Sequence, residues 1–185
     1  MQTTTTEALI AELHRIPENG KAEIVHGRIM RMAPAGFGHG RMSGNIYASL
    51  RQYERESGEG YALPDNIGFI VDAPNRQSFS PDAAFVYEKP GNVEKFVTGA
   101  PIFAAEIRSE HDYGATADRE YREKRSDYFA AGTLVVWDVN PRERIIYAYR
   151  YDRPDEPAVF GVGQVADAEP ALPGWRVSVD EVFAV

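Results

Sequence analysis

Three charged residues stand where the local pattern calls for burial. Asp82 follows Pro81 at the start of an apolar run, and Glu106 lies inside Ile102-Phe103-Ala104-Ala105-Glu106-Ile107. Strand alternation puts Glu106 on the side of Ile102 and Ala104, with no charged neighbour before Arg108. Lys124 follows Tyr121 by three residues and precedes Tyr128 by four, so the three share a helical face that Ala117 and Ala131 extend. A buried unpaired carboxylate costs several kcal/mol, and two of them roughly 4 Å apart repel by about 4 kcal/mol at an effective dielectric near 20. A cation between them relieves both costs. Mg²⁺ held by the carboxylates, waters and a substrate phosphate would serve, with Mn²⁺ as a substitute, and a nearby ammonium would orient or activate the attacking water. That is the equipment of phosphodiester hydrolysis.

Each residue also has a plainer reading. Asp82 fits a turn carboxylate accepting backbone N–H groups. Glu106 fits an edge strand that tolerates one exposed charge, and Lys124 fits a side chain that buries its stem against Tyr121 and Tyr128 while its ammonium stays in water. The site disappears if all three hold together.

The elements that must position these residues follow from periodicity. Leu9, Leu13 and Ile16 predict an N-terminal helix over Thr6–Ile16, stopped by Pro17 and Gly20. Ala22–Val25 and Arg28–Met32 flank His26-Gly27 and predict a hairpin. Met42, Ile46, Leu50 and Tyr53 line one face of a helix over Arg41–Glu56, ended by Gly58 and Gly60. Gly68–Val71, Ala83–Tyr87 and Ile102–Arg108 read as strands, Thr116–Ala131 as a helix before Gly132, and Leu134–Val139 with Arg144–Arg150 as a second hairpin around Asn140-Pro141-Arg142-Glu143. Strands interleaved with two long helices predict an α/β fold, a central mixed β-sheet flanked by helices. We expect a single domain over 1–185: an N-terminal helix over 1–20, a core over 21–171 and a C-terminal tail over 172–185.

Composition narrows the classes. The 185 residues, 43% hydrophobic and 26% charged, suit an ordinary globular chain. There is no cysteine, which excludes disulfides, thiolate nucleophiles and Cys-rich zinc sites. The Thr-rich start lacks the basic-then-apolar pattern of a leader, and no apolar run approaches the roughly 18 residues of a membrane span. A cytoplasmic protein without membrane contact is expected. The net charge of −8 argues against coating nucleic acid through a broadly basic surface, although a local Lys/Arg cluster can still dock phosphates.

Four ordered motifs then carry a resemblance. Ser80-Pro81-Asp82, Glu106-Ile107-Arg108-Ser109, Lys124 to Gly132, and Val136-Trp137-Asp138-Val139-Asn140-Pro141 resemble the restriction-endonuclease (Uma) family, a branch of the PD-(D/E)XK nuclease superfamily. The likeness runs from about Glu23 to Leu172-Pro173-Gly174. It implies a restriction-endonuclease-like fold, with Asp82, Glu106 and the Ile107 carbonyl as metal ligands and Lys124 as the catalytic lysine moved onto the following helix. Arg108 stands where the wider superfamily has its lysine, and arginine is a poor general base. Glu23 matches the family's early Glu-x-x-x-Gly element, with His26 in place of the usual acidic residue, and His39 matches a histidine that opens a helix. Both, with Arg108 and Tyr121, are candidates for the rim of the site. Asn140 replaces an acidic residue before Pro141.

The leading function is therefore a Mg²⁺-dependent endonuclease acting on nucleic acid, DNA first, as a homodimer because one active site cuts one strand. Two rivals remain: a catalytically inactive nuclease-fold module for binding or assembly, favoured by the acidic balance, and a metal-dependent small-molecule hydrolase, which would show a pocket too narrow for a duplex.

Overall fold

The computed structural model describes residues 5–16 and 20–185. Helix α1 spans Thr6–Leu13 and is capped by the Thr5 hydroxyl, which accepts the Ala8 N–H at 3.3 Å. It ends earlier than periodicity predicts, because Arg15 and Ile16 bond back to Glu12 and Leu13 and tighten the chain into a turn. The expected Pro17 stop and the first residues of the Thr-rich start lie outside the described residues. Strands β1 (Lys21–Val25) and β2 (Arg28–Met32) form the predicted hairpin, with His26 and Gly27 both at positive φ, 48° and 68°.

Helix α2 (Phe37–Ser57) starts four residues before the predicted Arg41. Gly36, Gly38 and Gly40 mask this first turn in the sequence, since glycine is a poor helix former. Gly58, at φ 71°, closes the helix in the left-handed conformation. Strand β3 (Tyr61–Leu63) follows, and β4 (Phe69–Ile70), β5 (Ser78–Phe79) and β7 (Val97–Thr98) make a small side sheet. The predicted strand around Gly68–Val71 thus belongs to this side sheet, and β3 is a strand the alternation did not reveal.

The central sheet is built from β6 (Ala83–Val86), β8 (Phe103–Ile107), β9 (Val135–Asn140), β10 (Ile145–Arg150) and β11 (Arg153–Phe160) together with β3, in the order β11-β10-β9-β8-β6-β3. Its β8–β9 pair is parallel, bridged by helix α3 (Ala115–Ala130), and its other pairs are antiparallel. The sheet is therefore mixed and carries helices on both faces, as expected. β11 is an edge strand holding Pro154 and Pro157, residues that cannot donate to a ladder and so hide a strand from propensity.

Alternation sorts the two faces. Ala83, Phe85, Phe103, Ala105, Ile107 and Trp137 pack with Met42, Ile46 and Leu50 of α2. Ala84, Val86, Ala104 and Val136 pack with Tyr128 of α3. Residues 172–185, expected as a tail, supply Trp175, Val177, Val179, Val182 and Phe183 to the α2-side core, through β13 (Arg176–Ser178, paired with β12, Val165–Asp167) and the short α4 (Val179–Val182). No described helix is long and apolar enough to cross a membrane.

Candidate active site

Register brings the acidic residues together. The β6–β8 ladder pairs Ala83 with Ala105, and one step earlier Asp82 N–H donates to the Ala105 carbonyl at 3.0 Å, which sets Asp82 beside Glu106. The parallel β8–β9 ladder places Glu106 opposite Asp138. Three carboxylates from neighbouring strands thus form a row on the α3 face, at 3%, 7% and 1% exposure for Asp82, Glu106 and Asp138. Glu106 is on an interior strand, so the exposed-edge reading does not hold.

Each carboxylate has its own donors. Lys124 Nζ lies 2.8 Å from Glu106 Oε2 and 2.9 Å from Glu23 Oε1, and the Tyr128 hydroxyl donates to Glu106 Oε1 at 2.6 Å. Lys124 is therefore a bridge between two buried carboxylates, its ammonium held by both. Arg76, at 2.9 Å, and the Ser80 N–H hold the rest of the Glu23 carboxylate. Asp82 Oδ1 receives Lys21 Nζ at 2.6 Å, and the same ammonium reaches Asp65 Oδ1 at 2.7 Å. Asp82 Oδ2 receives the Ile107 N–H at 2.7 Å, and His39 Nε2 lies 3.2 Å from Oδ2 and 3.1 Å from the Ile107 carbonyl oxygen. The Ser43 hydroxyl donates to the Asp82 carbonyl and ties this strand start to α2.

The electrostatics follow from these contacts. Burial opposes ionisation of Asp82, but the His39 hydrogen bond and the Lys21 charge outweigh it and hold its carboxyl well below the usual range. Burial likewise opposes ionisation of Glu23, and Lys124 and Arg76 overcome it. Glu106 goes the other way: burial pushes its pKa up, Lys124 offsets this only in part, and the charges of Asp82 and Glu23 add to it. Burial disfavours the charged forms of Lys124 and His39, yet Glu106 and Glu23 raise the first and Asp82 raises the second.

Of the residues expected from sequence, Asp82, Glu106, the Ile107 carbonyl, Lys124, Glu23 and His39 converge. Arg108 lies apart from this group. Its guanidinium forms a fork with Asp138, both legs 2.8 Å, and also binds Asp118, with the Tyr121 ring beneath it. Tyr121 lines a cavity of about 10 Å³ beside Glu106 and Lys124, room for about one water.

Sequence reasoning missed Lys21, Asp65, Arg76 and Asp138. Asp138 carries the signal that singled out Glu106, a charge inside an apolar strand. Lys21 shares a strand side with Glu23 by alternation. Arg76 and Asp65 lie in irregular segments where no periodicity points at them.

Two carboxylates and a carbonyl suit a small hard cation in donor chemistry, and Asp82 and Ile107 are close enough for one ring nitrogen to touch oxygens of both. Among the described residues, however, no group of three His, Asp or Glu side chains is arranged as a ready metal cluster. Lys21 and Lys124 now supply the compensating charge, with the His39 ring beside them. The donor set fits a divalent ion provided that one of these cations gives way.

A sequence model of the family described as "Uma2: Putative restriction endonuclease" matches residues 10–180. A crystal structure titled as a "putative nuclease belonging to DUF820" from Anabaena variabilis has the same fold, with a TM-score of 0.72 and 17% identity over 94% of this chain and 96% of that one. No curated protein matches the chain.

Proposed function

Because the chain belongs to the Uma2 restriction-endonuclease family, we propose that it is a divalent-metal-dependent endonuclease, acting on DNA as a homodimer, each chain working as one nuclease-like domain. The observation that carries this reading is the side-by-side placement of Asp82 and Glu106 with Lys124 Nζ 2.8 Å from Glu106. Asp82, Glu106 and the Ile107 carbonyl would hold Mg²⁺, or Mn²⁺ in its place. When bound, the ion supplies Lewis-acid stabilisation of a phosphoryl oxygen and makes a neighbouring water more acidic.

The remaining work falls to the chain's own side chains. Lys124 keeps a proton at Nζ, held there by Glu106 and Glu23, and so orients the attacking water and stabilises charge developing on the phosphate as a hydrogen-bond donor. Glu23, fixed by Arg76, keeps the ammonium in place. Tyr128 fixes the Glu106 carboxylate by donating to its other oxygen. His39, from the first turn of α2, holds the Asp82 carboxylate beside the Ile107 carbonyl. Arg108 is committed to Asp138 and Asp118 and takes no part in activating water.

The inactive-module reading rests on one observation: protein donors already engage all four oxygens of Asp82 and Glu106. Plasmid cleavage with Mg²⁺ and Mn²⁺ beside Asp82→Asn separates the two. Ion-dependent nicking by the wild type that Asp82→Asn lacks supports the nuclease. No cleavage by either protein, or equal cleavage by both, overturns it.

A further inference from the structure

Lys21 and Asp65 lie outside every motif that defines the site, yet Lys21 holds the outer oxygen of Asp82. Oδ2 is committed to the Ile107 N–H and His39, so Oδ1 is the oxygen from which a divalent ion would draw most, and Lys21 Nζ sits 2.6 Å from it. An ammonium and a divalent cation on one carboxylate oxygen repel strongly. One cation has to leave. Lys124 is pinned between two buried carboxylates, Glu23 and Glu106, with side-chain exposures of 4% and 10%. Lys21 is tied to Asp65 at 2.7 Å, whose side chain is 30% exposed, so it can release Asp82 toward the rim and keep a full ion pair.

Resting on the metal-dependent reading above, we infer that Lys21 is a displaceable counterion of Asp82 and Asp65 its receiving partner: the pair neutralises the site when it is metal-free and exchanges one contact when a divalent ion binds. Lys21 is then a positioning residue. It holds the Asp82 carboxylate turned in place without metal, at the cost of competing with metal for the same oxygen. Asp65 sets how easily the competition is lost, because among the described residues it is the other ion-pair partner of the ammonium once Asp82 is taken. The two halves of one ion pair should therefore move metal affinity in opposite directions, and the effect of Asp65 should pass through Lys21.

The test is calorimetric titration of Mn²⁺ into the metal-free full-length protein, with thermal melts alongside. Lys21→Met should bind Mn²⁺ on the order of tenfold more tightly than wild type, and Asp65→Asn more weakly by a similar factor. In the Lys21→Met background, Asp65→Asn should have little further effect, whereas a general field of the Asp65 charge would act equally in both backgrounds. Lys21→Gln replaces Lys21→Met if the latter does not fold. Asp82→Ala is the control on the underlying reading: undiminished Mn²⁺ binding there would reject the metal site itself. Loss of binding in Asp82→Ala with unchanged or weaker binding in Lys21→Met, or with an Asp65→Asn effect that is the same in both backgrounds, would leave the metal site standing and overturn the exchange.

Discussion

Lys124→Met removes a cation that lies 2.8 Å from Glu106 and 2.9 Å from Glu23. Two carboxylate oxygens bridged by legs of that length are about 5 Å apart, and at an effective dielectric near 20 Coulomb's law gives them a repulsion of roughly 3 kcal/mol. Glu23 keeps Arg76 and the Ser80 N–H, so the cost falls on Glu106, left with the Tyr128 hydroxyl and with Asp82 beside it. The sum lies within the 3–5 kcal/mol typical of removing one partner from a buried pair. At about 2–4 °C per kcal/mol for a chain of this size, the metal-free melting temperature should fall by roughly 6–20 °C. A lysine that only reached to water would lose far less. The sign with pH is set by Glu106, whose folded pKa is already raised and rises further without Lys124. The destabilisation caused by the substitution should therefore be smallest below the ordinary carboxylate range and grow as pH climbs through it toward the raised folded value. Glu23→Gln in the same background should restore part of the loss, because it removes the repelling charge. Thermal melts of the four proteins of that double-mutant cycle, at neutral and acidic pH, measure this. A fall under about 2 °C with no coupling to Glu23 would refute the bridge.

Glu106→Gln should stabilise the metal-free protein at neutral pH and not at acidic pH, because the wild-type carboxyl is raised by burial and by Asp82 and Glu23, while Lys124 retains Glu23; destabilisation in neutral melts would mean that its hydrogen bonds outweigh its charge. Arg108→Met should destabilise the fold by stranding Asp138, to which Arg125 comes no closer than 3.8 Å, yet retain cleavage per folded molecule. Lys124→Met combined with Glu23→Gln should lose on the order of 10²–10³ in cleavage rate, the scale of one transition-state donor; plasmid assays in which Arg108→Met is dead and the lysine variant active would reverse the two roles. Binding to duplex DNA, followed by fluorescence anisotropy, should weaken steeply with added salt as phosphate contacts release counterions, and a flat response would favour a protein partner or a small substrate.

Much of the site was legible before folding because burial patterns are local. Asp82 opens an apolar run, Glu106 breaks an apolar strand and Lys124 breaks an apolar helical face, and periodicity assigns Glu106 and Lys124 a side. The resemblance added Glu23, His39 and the Ile107 carbonyl. The hairpin at His26-Gly27 and helix α3 rest on the same short-range rules, which fail where glycine hides the first turn of α2 and proline hides β11. Only the tertiary structure decided which charge answers which. Lys21 and Asp82 are 61 positions apart, Glu23 and Arg76 53, and Arg108 and Asp138 30. No spacing rule spans such separations, because ion pairing depends on distance in space, set here by sheet register and by the packing of α2 and α3. For the same reason the sequence could name two carboxylates and a lysine as a site, but could not reveal that a second lysine already holds the oxygen a metal would need.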